Sequence, residues 1–319
     1  MLQGIQAGKY DEMLVKLYGQ EALTAQKQRY SQAVEKFATL YPEREDMEVF
    51  SAPGRTEVCG NHTDHQHGKV LAAAINLDAV AVVGFHEDGV IRLHSEGYPA
   101  ITVELSDLAI NEAEHGTTKA LIRGMAAQFA DKGVKIGGFD AYVTSDVLGG
   151  SGLSSSAAFE VLIGTILDIH YNKGAVGAVD IAKMGQFAEN KYFGKNCGLM
   201  DQMVSSVGGF VFIDFADPTK PVIDKHVCDF AAAGISLCIT DTKGSHADLT
   251  ADYVSIPVEM KSVAAHFGKE VLHEVAEADF FAEIGALRGK VSDRAILRAA
   301  HFFADDARVP QEVAALDAK

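Results

Sequence analysis

The 319-residue chain has no CxxC pair among its four cysteines, no apolar run of bilayer length and comparatively few basic residues. Each absence excludes something. Cys59, Cys197, Cys228 and Cys238 match no zinc-ligand spacing and are expected to be reduced thiols in a cytoplasmic protein. The N-terminal stretch MLQGIQAGKYDEMLVKLYGQ holds no continuous apolar segment, so no signal peptide is expected. The longest apolar stretch, Val70 to Phe85, is broken by Asn76 and Asp78 and falls short of the ~20 residues of a membrane span. With 28 Lys and Arg against 44 Asp and Glu, the formal charge is −16. A field of that sign repels nucleic acid and anionic lipid, so neither a nucleic-acid nor a membrane partner is expected. Solubility is the plain reason for an acidic excess. Should the ligand itself be anionic, positive potential must be gathered locally, by arginine, helix N-termini or a divalent cation.

What is present is a globular composition, 48% hydrophobic and 23% charged. At roughly 150 residues per domain the length suggests two domains. Tyr30, Ala33, Val34, Phe37 and Leu40 follow the spacing of an amphipathic helix, which Pro42 ends. Met47 to Ser51 reads as a strand entering a loop at Ala52-Pro53-Gly54. Val70 to Ile75, Ala79 to Phe85, Val90 to His94 and Thr102 to Leu105 read as further strands. Helices are predicted over Thr118–Lys132, Ser154–Tyr171 and Ala178–Asn190. Strands are predicted over Phe139–Ser145, Gly209–Phe215 and Ile235–Asp241, and mostly helix beyond Ala251. Pro257 should start or kink its helix. Helices and strands mix without regular βαβ alternation, which predicts an α+β fold. The boundary is placed near Ser205, giving domains 1–205 and 206–319.

Three segments carry chemistry. The first is LGGSGLSSSAAFEVLIG, from Leu148. Gly149, Gly150 and Gly152 permit close backbone approach and positive φ, and Ser154, Ser155 and Ser156 open a helix. Unpaired N–H groups and the helix dipole converge there, which makes an anion site. It is neither GxxxxGK[ST] nor GxGxxG. A serine-capped turn is the plain alternative.

The second segment, APGRTEVCGNHTDHQHGKVLAAAI, places Arg55, Glu57, Asn61, His62, Asp64, His65 and His67 within thirteen positions. A loop so polar between apolar strands suggests a site. Asp64 can accept two hydrogen bonds from vicinal hydroxyls, and Arg55 can neutralise a phosphate or orient a carboxylate. A metal on His62, His65 and Asp64 is the rival, although no HExxH is present. A structural polar turn is the other. The third segment, AENKYFGKNCGLMDQMVSSVGG, contains Glu189, Gly198 and Asp201. A carboxylate there can accept the proton of an attacking hydroxyl, although a lone aspartate is ordinarily just solvated. Cys197 has no activating partner in view and reads as packing.

In this order the segments resemble the signatures of the GHMP kinases, and of the galactokinases within that family. Leu148 to Ala157 is similar to Pro-x-Gly-x-Gly-Leu-Ser-Ser-Ser-Ala, with Leu148 in place of the proline. Gly54, Arg55, Gly60, His62, Thr63 and Asp64 match Gly-Arg-x-Asn-x-x-Gly-Glu-His-Thr-Asp-Tyr, and Gly198 to Gln202 matches Gly-Ile-Met-Asp-Gln. Glu57, Asn61 and His65 depart from the pattern, which puts the preferred sugar in question.

The resemblance implies a fold, an activity and a set of site residues. The fold is a two-domain α+β GHMP kinase, with a ribosomal protein S5 domain 2-like N-terminal domain and a ferredoxin-like C-terminal domain. The activity is ATP-dependent phosphorylation of galactose at its 1-hydroxyl. Asp201 and Arg55 would be catalytic, and Asn61, His62, Asp64, Gly198 and Tyr253 would bind the sugar. Gly149, Gly150, Ser151, Gly152, Leu153, Ser154, Ser155 and Ser156 would bind ATP, and Ser156 with Glu189 would hold Mg²⁺. A monomer is implied. Another aldose, such as N-acetylgalactosamine, and a turnover-less sugar sensor are the alternatives. A metal-dependent hydrolase using the histidines is a third class. The family's third signature, Gly-Ala-Gly-x-Gly-Gly, is absent from the sequence. That absence predicts an incomplete C-terminal domain, exposed apolar surface and weak activity. One geometric requirement underlies the reading: the serine-lined helix start and the Asp201 carboxylate must share one pocket.

Overall fold

The computed structural model describes residues 1–147, 149–228, 230, 232–238, 240 and 250–318. The chain forms two compact units. One comprises Met1–Gly54 and Ile75–Ser206, the other Arg55–Ala74 and Val207–Lys319.

The first unit opens with helices α1 (Leu2–Gln6), α2 (Asp11–Tyr18) and α3 (Leu23–Leu40). In α3 the predicted stripe is buried: Tyr30, Ala33, Val34 and Phe37 pack with Leu14, Tyr18, Val80, Val82 and Tyr142. Strand β1 (Glu48–Cys59) follows. It runs straight through Ala52-Pro53-Gly54, where a loop was expected. Among the described strands β1 pairs with β2 alone, and a strand with one partner tolerates a proline that donates nothing.

Strand β2 (Lys69–His86) is continuous where two strands were expected. The polar interruption at Asp78 is satisfied without a break. Its carboxylate accepts from Tyr18 Oη at 2.5 Å and from Arg29 Nη1 at 2.7 Å. Next come β3 (Val90–Ser95), β4 (Ile101–Glu104), α4 (Thr118–Asp131), β5 (Gly138–Ser145), α5 (Ser155–Asn172) and α6 (Ala178–Phe187). Beyond α6 the predicted helix becomes a short π-helix, Ala188–Phe193. Helix α7 (Met200–Val207), which carries Asp201, was not foreseen.

The first unit's sheet has the order β4-β3-β5-β2. β3 runs parallel to β5, and residues 79–86 of β2 run antiparallel to it. The inner face of this sheet packs on α4, α5 and α6 through Ile91, Leu93, Phe139, Ile122, Met125, Phe129, Leu162 and Ile166.

In the second unit, residues 69–73 of β2 pair with β6 (Phe210–Asp214), which pairs with β7 (Val222–His226). β7 was not predicted. The strand predicted over Ile235–Asp241 does not form at 235–238, whose side chains are exposed, because an apolar run alone supplies no partner strand. Residues 239 and 241 lie outside the described set. Helices α8 (Thr250–His266), α9 (Glu277–Leu287) and α10 (Asp293–Asp317) form their own core around Val263, Leu272, Phe280, Leu287, Ala299 and Phe302. Pro257 lies inside α8 rather than at its start. Among the described residues, no helix is long and apolar enough to cross a membrane.

Candidate active site

In the first unit β5 ends at Ser145, and residues 149–153 turn into α5. Gly149 to Gly152 are exposed, whereas Leu153 is buried. Gly150 and Gly152 have φ of 76° and 77°, and an added Cβ on either would meet nothing within 4 Å. Conformation rather than crowding asks for glycine there. Crowding does rule Gly54 of β1, where a Cβ would lie 2.7 Å from the Leu153 carbonyl oxygen. Ser205 Oγ of α7 donates to the Pro53 carbonyl at 2.5 Å, which ties β1 to the helix carrying Asp201. Leu148 is outside the described residues.

Ser154 has a left-handed backbone (φ 60°) and makes no side-chain cap to α5. The serine-cap alternative therefore fails at this position. Its hydroxyl donates instead to Asp201 Oδ2 at 2.5 Å. Two residues on, Ser156 Oγ donates to Glu189 Oε1 at 3.1 Å. Glu189 sits in the π-helix and is 2% exposed. Its other oxygen accepts from Gln202 Nε2 at 2.9 Å, and that same nitrogen donates to Glu160 Oε2 at 3.0 Å. Lys195 Nζ lies 3.0 Å from Glu189 Oε1. So the start of α5, the π-helix and α7 meet in one cluster of named side chains. Ser154 and Asp201 are in direct contact. Gly198 is exposed and lies between the π-helix and α7.

Burial, with the charge of Glu189 behind it, pushes the Glu160 carboxyl well above the usual range. Burial pulls Lys195 down, but the charge and hydrogen bond of Glu189 outweigh it and the net shift is upward. Cys197 is pushed strongly up by burial and then by Glu189, which makes it a poor nucleophile and agrees with a packing role. Glu160 and Lys195 were not singled out in the sequence, and Gln202 was matched to a motif without a role of its own. The signal for Glu160 was present: a single carboxylate inside the otherwise apolar helical run AAFEVLIG.

The second unit holds the polar loop. Arg55 and Asp64 are buried, and Asn61 and His62 are exposed. Gly60 (φ 90°) and His62 (φ 51°) turn the chain into a 3₁₀ turn, Thr63–Gln66. His62 N donates to Glu57 Oε1 at 2.6 Å, and Asp64 Oδ1 accepts from His65 N at 2.9 Å. Burial, then the neighbouring His62, pulls His65 down to about 4. Burial pushes the Glu57 carboxyl up. Among the described residues no group of three or more His, Cys, Asp or Glu could hold a metal, the His62–Asp64–His65 group included. Tyr253 is an exposed residue of α8, and residues 244–249 of its segment lie outside the described set.

A family model for the galactokinase galactose-binding signature matches residues 35–85, and one for the GHMP kinase N-terminal domain matches 120–209. A galactokinase of Streptomyces coelicolor is 34% identical over 288 residues, covering 89% of this chain and 72% of its own. This chain belongs to the galactokinase family of GHMP kinases. A second galactokinase, from Actinobacillus pleuropneumoniae serotype 3, is 32% identical over 297 residues, covering 90% of this chain and 73% of its own.

The solved galactokinase of Lactococcus lactis, complexed with galactose, superposes with a TM-score of 0.74 at 24% identity, over 91% of this chain and 74% of that one. Mevalonate kinase of Methanococcus jannaschii gives 0.52 at 14% identity, over 83% and 80%. These likenesses show a GHMP kinase α+β fold. Membership makes the galactokinase-family chain a sugar kinase, for which ATP is the co-substrate.

Proposed function

We propose that this kinase transfers the γ-phosphoryl group of ATP to the 1-hydroxyl of galactose. The observation that carries the reading is the 2.5 Å bond from Ser154 to Asp201, which joins the glycine-serine loop to a carboxylate. In this reading residues 149–156 cradle the ATP phosphates with backbone N–H groups, and the serine hydroxyls add to them. Asp201 accepts the proton of the sugar's 1-hydroxyl as its oxygen attacks phosphorus. Ser154 fixes the Asp201 carboxylate by donating to its Oδ2. Asn61, His62, Asp64, Gly198 and Tyr253 bind the sugar, with Asp64 gripping vicinal hydroxyls. Arg55 is the second catalytic residue. Residues 1–205 thus carry the sugar and nucleotide signatures, and 206–319 the C-terminal GHMP-type part.

Mg²⁺ fits the residues present. Ser156 and Glu189 offer only hard oxygen donors 3.1 Å apart, and Lys195 already places a cation against Glu189. They would hold the ion, which when bound neutralises charge on the phosphates. The acidic balance and the free cysteines support a cytoplasmic monomer acting without nucleic acid or membrane.

The test is coupled ADP release with ATP, Mg²⁺ and a panel of aldoses including N-acetylgalactosamine, for the wild type and Asp201→Ala. Galactose-dependent ADP release that the substitution removes supports the reading. Galactose binding without ADP release from the wild type would reveal a sensor instead.

A further inference from the structure

The polar loop that carries Asn61, His62 and Asp64 is pinned at both ends by two successive residues of one helix. Asp305 Oδ2 accepts from Asn61 N at 2.5 Å. Asp306 Oδ1 accepts from Lys69 N at 2.6 Å, and its Oδ2 takes Lys69 Nζ at 3.0 Å. Asp305 is 5% exposed, and its second oxygen is held by Arg308 one turn further along α10.

The same helix crowds the two glycines that bracket the loop. A Cβ on Gly60 would meet Val309 at 2.9 Å, and one on Gly68 would meet Phe302 and Asp306 at 2.8 Å. Inside the loop, Thr63 Oγ1 donates to the Lys69 carbonyl at 2.5 Å, and the fully buried Gln66 accepts from Leu272 N at 3.1 Å. Every one of these contacts lies within the second unit.

We infer that Asp305 and Asp306 are positioning residues of the kinase: they set the backbone of residues 61–69, and through it the sugar-binding side chains. The physical reason is the strength and direction of the bonds. A carboxylate accepting a backbone N–H is a charge-assisted bond, stronger than a neutral one. A buried carboxylate also holds its geometry because it has no water to turn to. Asn61, His62 and Asp64 all lie on the nine residues that run from one anchor to the other, 61–69. Loosening either anchor therefore blurs the sugar contacts and leaves the nucleotide loop in the other unit untouched. The inference rests on the proposed galactose site, and its test separates the two.

The experiment uses the full chain with Asp305→Ala, Asp305→Asn and Asp306→Ala. Galactose and ATP are each varied in steady-state kinetics, and backbone hydrogen exchange is followed over residues 58–70. For Asp305→Ala the expected result is a galactose KM raised about ten-fold, with kcat and ATP KM within about two-fold, and faster exchange at the Asn61 amide. Asp305→Asn, whose carboxamide oxygen still accepts from Asn61 N, should recover most of the lost KM. Asp306 is less buried than Asp305, so Asp306→Ala reads the second anchor should Asp305→Ala fold poorly, with faster exchange at Lys69. An unchanged galactose KM in Asp305→Ala and Asp306→Ala overturns the inference. So does a rise in ATP KM equal to that for galactose. A wild type that neither binds nor phosphorylates galactose fails the proposed function itself, and the positioning role falls with it.

Discussion

Ser154 Oγ and Asp201 Oδ2 lie 2.5 Å apart although 47 positions separate them in the chain. The bond forms because Ser154 takes a left-handed backbone and turns its hydroxyl away from the α5 cap it would otherwise make. Ser154 is thus given to the carboxylate rather than to the helix. Asp201→Asn keeps the shape but cannot accept a proton well, so kcat should fall by about 10²-fold or more. Ser154→Ala removes one bond to a charged group and should cost about ten-fold in kcat. Neither should move the thermal midpoint much. Equal kcat for Asp201→Asn and wild type would remove Asp201 from the chemistry.

Glu189 gathers three hydrogen-bonding neighbours: Ser156 and Lys195 on one oxygen and Gln202 on the other. Chelation of divalent cation by excess EDTA should abolish turnover, and added Mg²⁺ should restore it. Glu189→Gln should raise the Mg²⁺ concentration for half-maximal rate about ten-fold, because a neutral amide is a weaker ligand. Lys195→Met frees one oxygen of Glu189 from its ammonium and should shift that concentration the other way. The measurement is ADP release across a Mg²⁺ titration at saturating galactose. A Lys195→Met curve displaced upward would contradict the competition.

Much of this was legible in the sequence, and what was not has a physical reason. The α3 stripe reads directly because burial follows a 3.6-residue period, and only Leu40 at its end is exposed. The glycine-serine turn reads because glycine and serine advertise their own backbone chemistry. The continuity of β2 could not be read, since nothing local announces that Arg29 and Tyr18 satisfy Asp78 from other helices. The same holds for Asp305 and Asp306, whose sequence neighbours look like an ordinary solvated helix face. Their partners are more than 230 positions away, and pairing at that range leaves no periodic trace.

The two kinds of glycine in this chain should separate cleanly in stability measurements. Gly60 has φ 90°, and an added Cβ would lie 2.3 Å from the Lys69 carbonyl oxygen, a backbone atom that cannot step aside. Gly89 has φ 73° in the turn before β3, with nothing within 4 Å. Gly89→Ala should cost about 1 kcal/mol, the strain of a left-handed alanine alone. Gly60→Ala should cost roughly 3 kcal/mol, because steric overlap adds to that strain. Urea melts of both variants check the difference, and equal costs would mean that the loop relaxes freely around residue 60.

His65 should make the fold sensitive to mild acid. Burial, then His62, lowers it from 6.5 to about 4 in the folded chain. Above pH 6.5 the ring is neutral folded or unfolded, and it contributes no pH dependence. As pH falls from 6.5 toward 4 the unfolded chain takes up a proton that the folded chain refuses, so folding loses stability. The loss is bounded by the difference in proton affinity, up to about 3 kcal/mol at pH 4. His65→Gln removes the titration while keeping a polar side chain of similar reach. Between pH 7.5 and 4.5, urea melts should therefore show the wild type losing about 2 to 3 kcal/mol more than the variant. Parallel pH profiles for the two proteins would show that His65 meets water in the folded state as readily as in the unfolded one.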